Sequence, residues 1–271
     1  MTKQEFQELV NKGTVLLDGA TGSNLMRAGM PRGVCTEQWI CENPEPLSEL
    51  QRAYKEAGSQ IVYAPTFSAN RISLTNHGLQ DKVKELNTRL IEISRKAVGT
   101  DCLVAGDLTT TGQQEVSYEE LLEAYKEQIE AQLAAGADLL VAETMLGETE
   151  PMAVLDAAAS LCDLPVMCTL TVESDGSLFF GGNIYDAARA LADMGADAVG
   201  INCSTGPDQL VAVTENLRKA VDIPLIVKPN AGMPVIDDQG NPVYSMEARE
   251  FALNMKRLIG AGVDIVGGCC G

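Results

Sequence analysis

The chain has a single histidine among 271 residues, and only 4% of its residues are aromatic. The first scarcity takes away the commonest metal ligand and general base. That work must fall to Cys, Asp, Glu, Lys or Tyr. The second leaves little with which to build an aromatic cage around a quaternary ammonium. Basic residues are also short, with 20 Lys plus Arg against 38 Asp plus Glu. The resulting net charge of −18 argues against nucleic acid and anionic membrane surfaces as partners. No apolar run reaches the ~18 residues of a membrane span. The opening MTKQEFQELVNKG lacks the basic and apolar regions of a signal peptide. A cytoplasmic protein is expected, and its eight Cys are expected as free thiols rather than disulfides. There is no Pro/Gly/Ser-rich linker to divide two domains and no C-x-x-C pair to mark a structural zinc site.

What is present is a repeat. Short apolar runs fall at Val15–Leu17, Ile61–Ala64, Leu103–Ala105, Leu139–Ala142, Val166–Leu170, Ala198–Ile201, Leu225–Val227 and Ile265–Val266. Such continuous runs suit strands buried on both faces of a parallel sheet. Longer segments between them carry helical spacing, as in Glu119–Ala135, with Ser117 placed to cap its start. Gly136, Gly195 and Gly262, and more loosely Gly58, each end a helical segment and lead into a strand. Glycine supplies the left-handed turn that a tight αβ loop requires. Eight such right-handed units predict a single-domain (β/α)8 TIM barrel over residues 1–271. A doubly wound open sheet is the alternative, but Gly19 and Gly22 do not complete a G-x-G-x-x-G after the first strand. The sequence stops at Gly271, directly after the eighth apolar run, so an eighth outer helix is not expected. A helix at about Lys3–Asn11 is one candidate to cover that side of the barrel.

Chemistry in such barrels collects where strands end at the C-terminal face. Three of the eight Cys fall there: Cys203 after the sixth strand, Cys269 and Cys270 after the eighth. Converging thiolates suit Zn²⁺ with one open coordination position, and a thiol arriving at such an ion loses its proton at neutral pH. Packed core thiols are the competing reading. Lys228 ends the seventh strand, where a buried Lys serves a Schiff-base lyase or, alternatively, orders its loop. Cys35, Cys41, Cys102, Cys162 and Cys168 read as packed or incidental thiols. His77 reads as a helix-end cap and Trp39 as packing across the barrel top. The polar Asp107–Gly112 loop follows the third strand at the same mouth.

Asp18-Gly19-Ala20-Thr21-Gly22, Pro65-Thr66-Phe67, Glu143-Thr144, Gly200-Ile201-Asn202-Cys203 and Gly267-Gly268-Cys269-Cys270-Gly271 together resemble the homocysteine S-methyltransferase family over essentially the whole chain. The resemblance implies that Cys203, Cys269 and Cys270 hold zinc, on which homocysteine is activated as a thiolate and methylated to methionine. It implies that Glu143 and Asp18 hold the substrate ammonium and that the Gly19–Ala20 loop receives its carboxylate. It places Thr66 and Ser68 in the loop that shapes the pocket, with Asn230 lining it. The first loop looks closer to the methionine synthase branch than to the betaine branch, which would need aromatic residues where Ser68 and Thr144 stand. A methylcorrinoid (methylcobalamin) carried by a separate protein or module is therefore the expected donor. S-methylmethionine, a small sulfonium, is the alternative. A non-catalytic thiol-binding module is the reading from another class.

Overall fold

The computed structural model describes residues 1–113, 115–238 and 242–271. Eight parallel strands form where the apolar runs predict them. These are β1 (Val15–Leu16), β2 (Ile61–Tyr63), β3 (Leu103–Thr109), β4 (Leu139–Met145), β5 (Val166–Leu170), β6 (Ala198–Cys203), β7 (Leu225–Pro229) and, after a short hairpin of β8 (Val235–Ile236) and β9 (Pro242–Val243), β10 (Ile265–Val266). The sheet runs β1-β10-β7-β6-β5-β4-β3-β2. A parallel bridge between Leu17 and Ile61 joins its two edges and closes the barrel. Gln60 reinforces the seam, donating its N–H to the Leu16 carbonyl and accepting the Leu16 N–H on its side-chain oxygen.

Helices wrap the outside. The β1–β2 crossover carries α2 (Gly22–Arg27), α3 (Thr36–Glu42) and α4 (Pro44–Glu56). The next carries α5 (Arg71–Leu74) and α6 (Val83–Val98). Single helices α7 (Tyr118–Ala134), α8 (Thr149–Leu161), α9 (Ile184–Asp193), α10 (Val211–Ala220) and α11 (Ala248–Gly260) complete the ring. Ser117 caps α7 in a reciprocal box with Glu120. Gly58, Gly136, Gly195 and Gly262 all adopt positive φ, between +88° and +109°, as their loops demand. Trp39 packs into a satellite core with Leu25, Ile40, Leu47, Leu86 and Leu90.

Among the described residues no helix follows β10, and the N-terminal helix does not take its place. α1 (Lys3–Asn11), fixed by a Thr2–Glu5 capping box, lies across the N-terminal mouth instead. Phe6 and Val10 insert among Val15, Leu139, Met167, Ala198, Ile226 and Ile265, the inward side chains of the barrel. Lys3 pairs with Asp197, and the terminal amine donates to the Asp138 carbonyl, both at the entry ends of strands. The helix goes to the floor because its two buried apolar residues match the apolar barrel interior. On the outer face of β1, Leu16 stays 41% exposed. No helix among the described residues is long and apolar enough to cross a membrane.

Candidate functional site

The ends of β6 and β10 reach a common point, with β7 between them. There the sulfurs of Cys203, Cys269 and Cys270 all lie within 4.8 Å of one another. Three sulfurs tetrahedrally disposed at about 2.3 Å from a zinc ion would sit roughly 3.8 Å apart, so this spacing and this soft donor set suit the metal. The proximity of the three sulfurs favours a thiolate on Cys270 and holds the proton on Cys269. Asn230, at the end of β7, ties the two cysteine segments together. Its amide donates to Cys203 Sγ (3.6 Å) and to the Ser204 carbonyl (3.1 Å), and its oxygen accepts the Cys270 N–H (2.9 Å). Gly267 lets β10 pass so close, since a Cβ there would stand 2.7 Å from the Asp18 carbonyl and 2.8 Å from Lys228 Cγ.

Among the described residues, three other than glycine adopt left-handed backbone: Thr144, Cys203 and Ser204. Such strain gathers at functional sites when surrounding bonds over-determine it. Asn202, fully buried, supplies several of them. Its oxygen accepts the Thr144 N–H (2.7 Å), and its amide donates to Thr144 Oγ1 (2.7 Å) and Glu143 Oε2 (3.3 Å). Thr144 sits in the register shift between Ala142 and Met145 that bends the end of β4.

Beside the sulfurs lies a buried charged cluster. Lys228 Nζ is 2.9 Å from Asp18 Oδ1 and 3.9 Å from the centre of the Tyr63 ring. The other Asp18 oxygen accepts the Tyr63 N–H (2.8 Å). Burial works to lower the Lys228 pKa, but Asp18 and Glu143 outweigh it and hold the amine charged, well above its usual value. Glu143 and Asp107 bear on each other electrostatically. Burial raises both, and for Asp107 the Glu143 charge raises it further while Lys228 opposes.

These groups face a cavity of about 710 Å³ at the C-terminal mouth. Of the expected residues, Cys203, Cys269, Cys270, Glu143, Gly19 and Ser68 line it. Asp18 lies behind Lys228, with both oxygens partnered. Ala20 is buried, its carbonyl held by Asn24 and Tyr54. Thr66 is buried too, exchanging hydrogen bonds with the Asp107 backbone. Asn230 acts on the cysteines from outside the cavity wall. The other five cysteines lie away from the cluster, although Cys35 borders the cavity and donates to Glu37. His77 ends an exposed turn at the cavity rim. Sequence reasoning named Asn202 within a motif but gave it no role, and passed over Tyr63 and Tyr244, which bears on Cys270. It also placed Asp107 in a loop, whereas β3 continues through it to Thr109.

Residues 15–271 match the model of the family described as homocysteine S-methyltransferase. The chain is 32% identical over 98% of its length to a protein named methionine synthase from Mycobacterium leprae, and 30% identical to its namesake from Mycobacterium tuberculosis. It spans 24% of the length of each. The crystal structure of the homocysteine methyltransferase MmuM from Escherichia coli, in its metallated form, superposes with a TM-score of 0.82 at 26% identity, covering 98% of this chain and 94% of that one. The carboxyl transferase domain of Rhizobium etli pyruvate carboxylase shares the fold alone, with a TM-score of 0.61 at 14% identity. Matched from its first strand to its last residue, the chain belongs to the homocysteine S-methyltransferase family.

Proposed function

We propose that residues 1–271 form a homocysteine-binding barrel that transfers a methyl group to the homocysteine thiol, giving methionine. The observation that carries this reading is the convergence of Cys203, Cys269 and Cys270 at the mouth of a barrel whose family methylates this thiol. Zn²⁺ bound by these sulfurs would supply the means of keeping an incoming thiol deprotonated at neutral pH. Asn230 holds the cysteine segments in register, and Glu143 presents a carboxylate to the substrate ammonium. The Gly19 loop offers backbone to the carboxylate, and Gly19 must be bare because a Cβ there would meet the Tyr54 ring at 2.8 Å.

Two observations bear on the donor. Aromatic lining among the described residues is confined to Tyr63 and Phe67, with Ser68 and Thr144 beside them, which offers a betaine no cage. The relatives named methionine synthase are about four times longer than this chain, in keeping with a methyl group delivered as methylcorrinoid by a separate protein or module. The Schiff-base reading loses its nucleophile, because Lys228 is held charged against Asp18. The test is methyl transfer to homocysteine by zinc-loaded protein, offered methylcobalamin, a methylated corrinoid protein and S-methylmethionine in parallel. Cys203→Ser should lose both bound zinc and activity. Full activity in protein stripped of zinc would refute the reading.

A further inference from the structure

Glu150, the second residue of α8, is 7% exposed and stands behind the cavity wall. A carboxylate buried this far is costly unless its oxygens are met. Its partners come from the segment that leaves β3 and from α7 behind it. Oε2 accepts the Thr110 hydroxyl. Oε1 accepts the Thr111 N–H (2.7 Å) and the Thr111 hydroxyl (2.7 Å). The hydroxyl of Tyr125, a fully buried residue of α7, stands 3.3 Å from the same oxygen and 2.9 Å from the Thr109 carbonyl. The two threonines extend the hold. Gly112 donates its N–H to Thr110 Oγ1 (3.0 Å), and Gln113 donates to Thr111 Oγ1 (3.3 Å). One carboxylate thus fixes residues 109–113.

Residues 109–112 line the cavity. They stand opposite the sulfurs. In the closed strand order β7 lies between the two cysteine-bearing strands, and β3 is four strands from β7 in either direction. They also stand higher. Thr109 is in register with Glu143 and gives its hydroxyl to the Glu143 carbonyl (2.8 Å), and residues 110–112 continue mouthward of that level. A thiol substrate held between the sulfurs and Glu143 lies below and across from them. What meets them is the second reactant, arriving from the mouth.

We infer that Glu150 is a positioning residue for methyl transfer: it holds residues 109–112 as the wall against which the methyl donor lies, and so fixes the donor's angle to the thiolate. In the transfer the sulfur–carbon bond forms as the donor–carbon bond breaks, and the electron pair of the broken bond leaves with the donor. Sulfur, carbon and leaving atom must stand in line, and a misplacement of about 1 Å costs roughly 100-fold. The inference rests on the proposed methyl-transfer reading and assigns the donor side of the same cavity.

The test compares zinc-loaded wild-type and Glu150→Ala protein in three measurements. Methyl transfer to saturating homocysteine is followed with methylcobalamin, a methylated corrinoid protein and S-methylmethionine. Homocysteine binding is measured by calorimetry, and hydrogen exchange at the Thr111 and Gly112 amides by NMR. Glu150→Ala should lower kcat/KM for the donor about 10- to 100-fold. It should leave homocysteine affinity unchanged and speed exchange at both amides. Glu150→Gln, which keeps an oxygen for the Thr111 N–H, should restore most of the rate. If Glu150→Ala does not fold, Thr110→Val removes one hydrogen bond, leaves the carboxylate its other partners, and should give the same split at about 3- to 10-fold. Unchanged transfer in the folded variant overturns the inference, because the wall then does not touch the donor. Homocysteine affinity that falls by the same factor as transfer overturns it too, because Glu150 then only supports the barrel, and so does unchanged exchange at the two amides. Wild-type protein that methylates homocysteine from none of the three donors overturns the methyl-transfer reading and this inference with it, a result that needs no variant.

Discussion

Replacing Asn202 by Ala tests whether the strained turns at the barrel mouth are held by one side chain. The Asn202 amide makes two short bonds to Thr144 and one longer bond to Glu143, all from a fully buried position. Each neutral bond contributes about 1 kcal/mol net, and a buried N–H left unpaired costs about 1–3 kcal/mol. Thr144 also holds a left-handed conformation worth roughly 1–2 kcal/mol of strain for a side-chain-bearing residue. With the clamp removed, Thr144 relaxes only by surrendering the bend that places Glu143. The expected loss is about 2–4 kcal/mol of stability, read as a lower urea midpoint at unchanged m-value. KM for homocysteine should rise about 3- to 10-fold as Glu143 loses its donor. Asn202→Asp keeps the shape but sets a second carboxylate beside Glu143, so it should be destabilised at least as much. A loss under about 1 kcal/mol with unchanged KM would refute the idea that Asn202 carries the strain.

Two further outcomes follow from the packing. Phe6→Ala should cost about 3–5 kcal/mol in chemical denaturation, because the ring fills the barrel floor and the rigid strands around it cannot collapse into the space; a cost under about 1 kcal/mol would show that α1 is a loose cover. Burial pushes Cys35, Cys41 and Cys102 up to about 11 and Cys168 to about 12, so iodoacetamide near neutral pH should spare them in native protein. Peptide mapping of the zinc-free, reduced protein should find the label first on the Cys203–Cys269–Cys270 cluster, with zinc protecting it.

The strands were legible because a parallel barrel buries both faces, so each announces itself as an apolar run. Their ends were not. β3 and β4 continue through Asp107 and Glu143, polar residues that face the cavity, so the apolar signal stops before the strand does. The cysteines could be singled out because a barrel gathers strand ends at one mouth. The Asp18–Lys228 pair could not, since it joins residues 210 positions apart and depends on how β10 seats between β1 and β7. Asn230 was visible as a residue of the right loop, but its hold on both cysteine segments is a property of the closed barrel. The placement of α1 also depended on the tertiary fold, because an amphipathic helix fits equally well outside a barrel or across its floor.

That floor has a consequence for the order of events. With Phe6 and Val10 plugging the far end, the site opens, among the described residues, at the other mouth. On the proposed function, thiol and methyl donor would share it, with the thiol berthed at Glu143 and the sulfurs. On that reading the smaller molecule would enter first, and a bulky donor arriving second would close the mouth behind it. Methionine, on the same reading, would leave only after the spent donor. A barrel sealed at its floor would turn such a transfer into a queue at a single mouth.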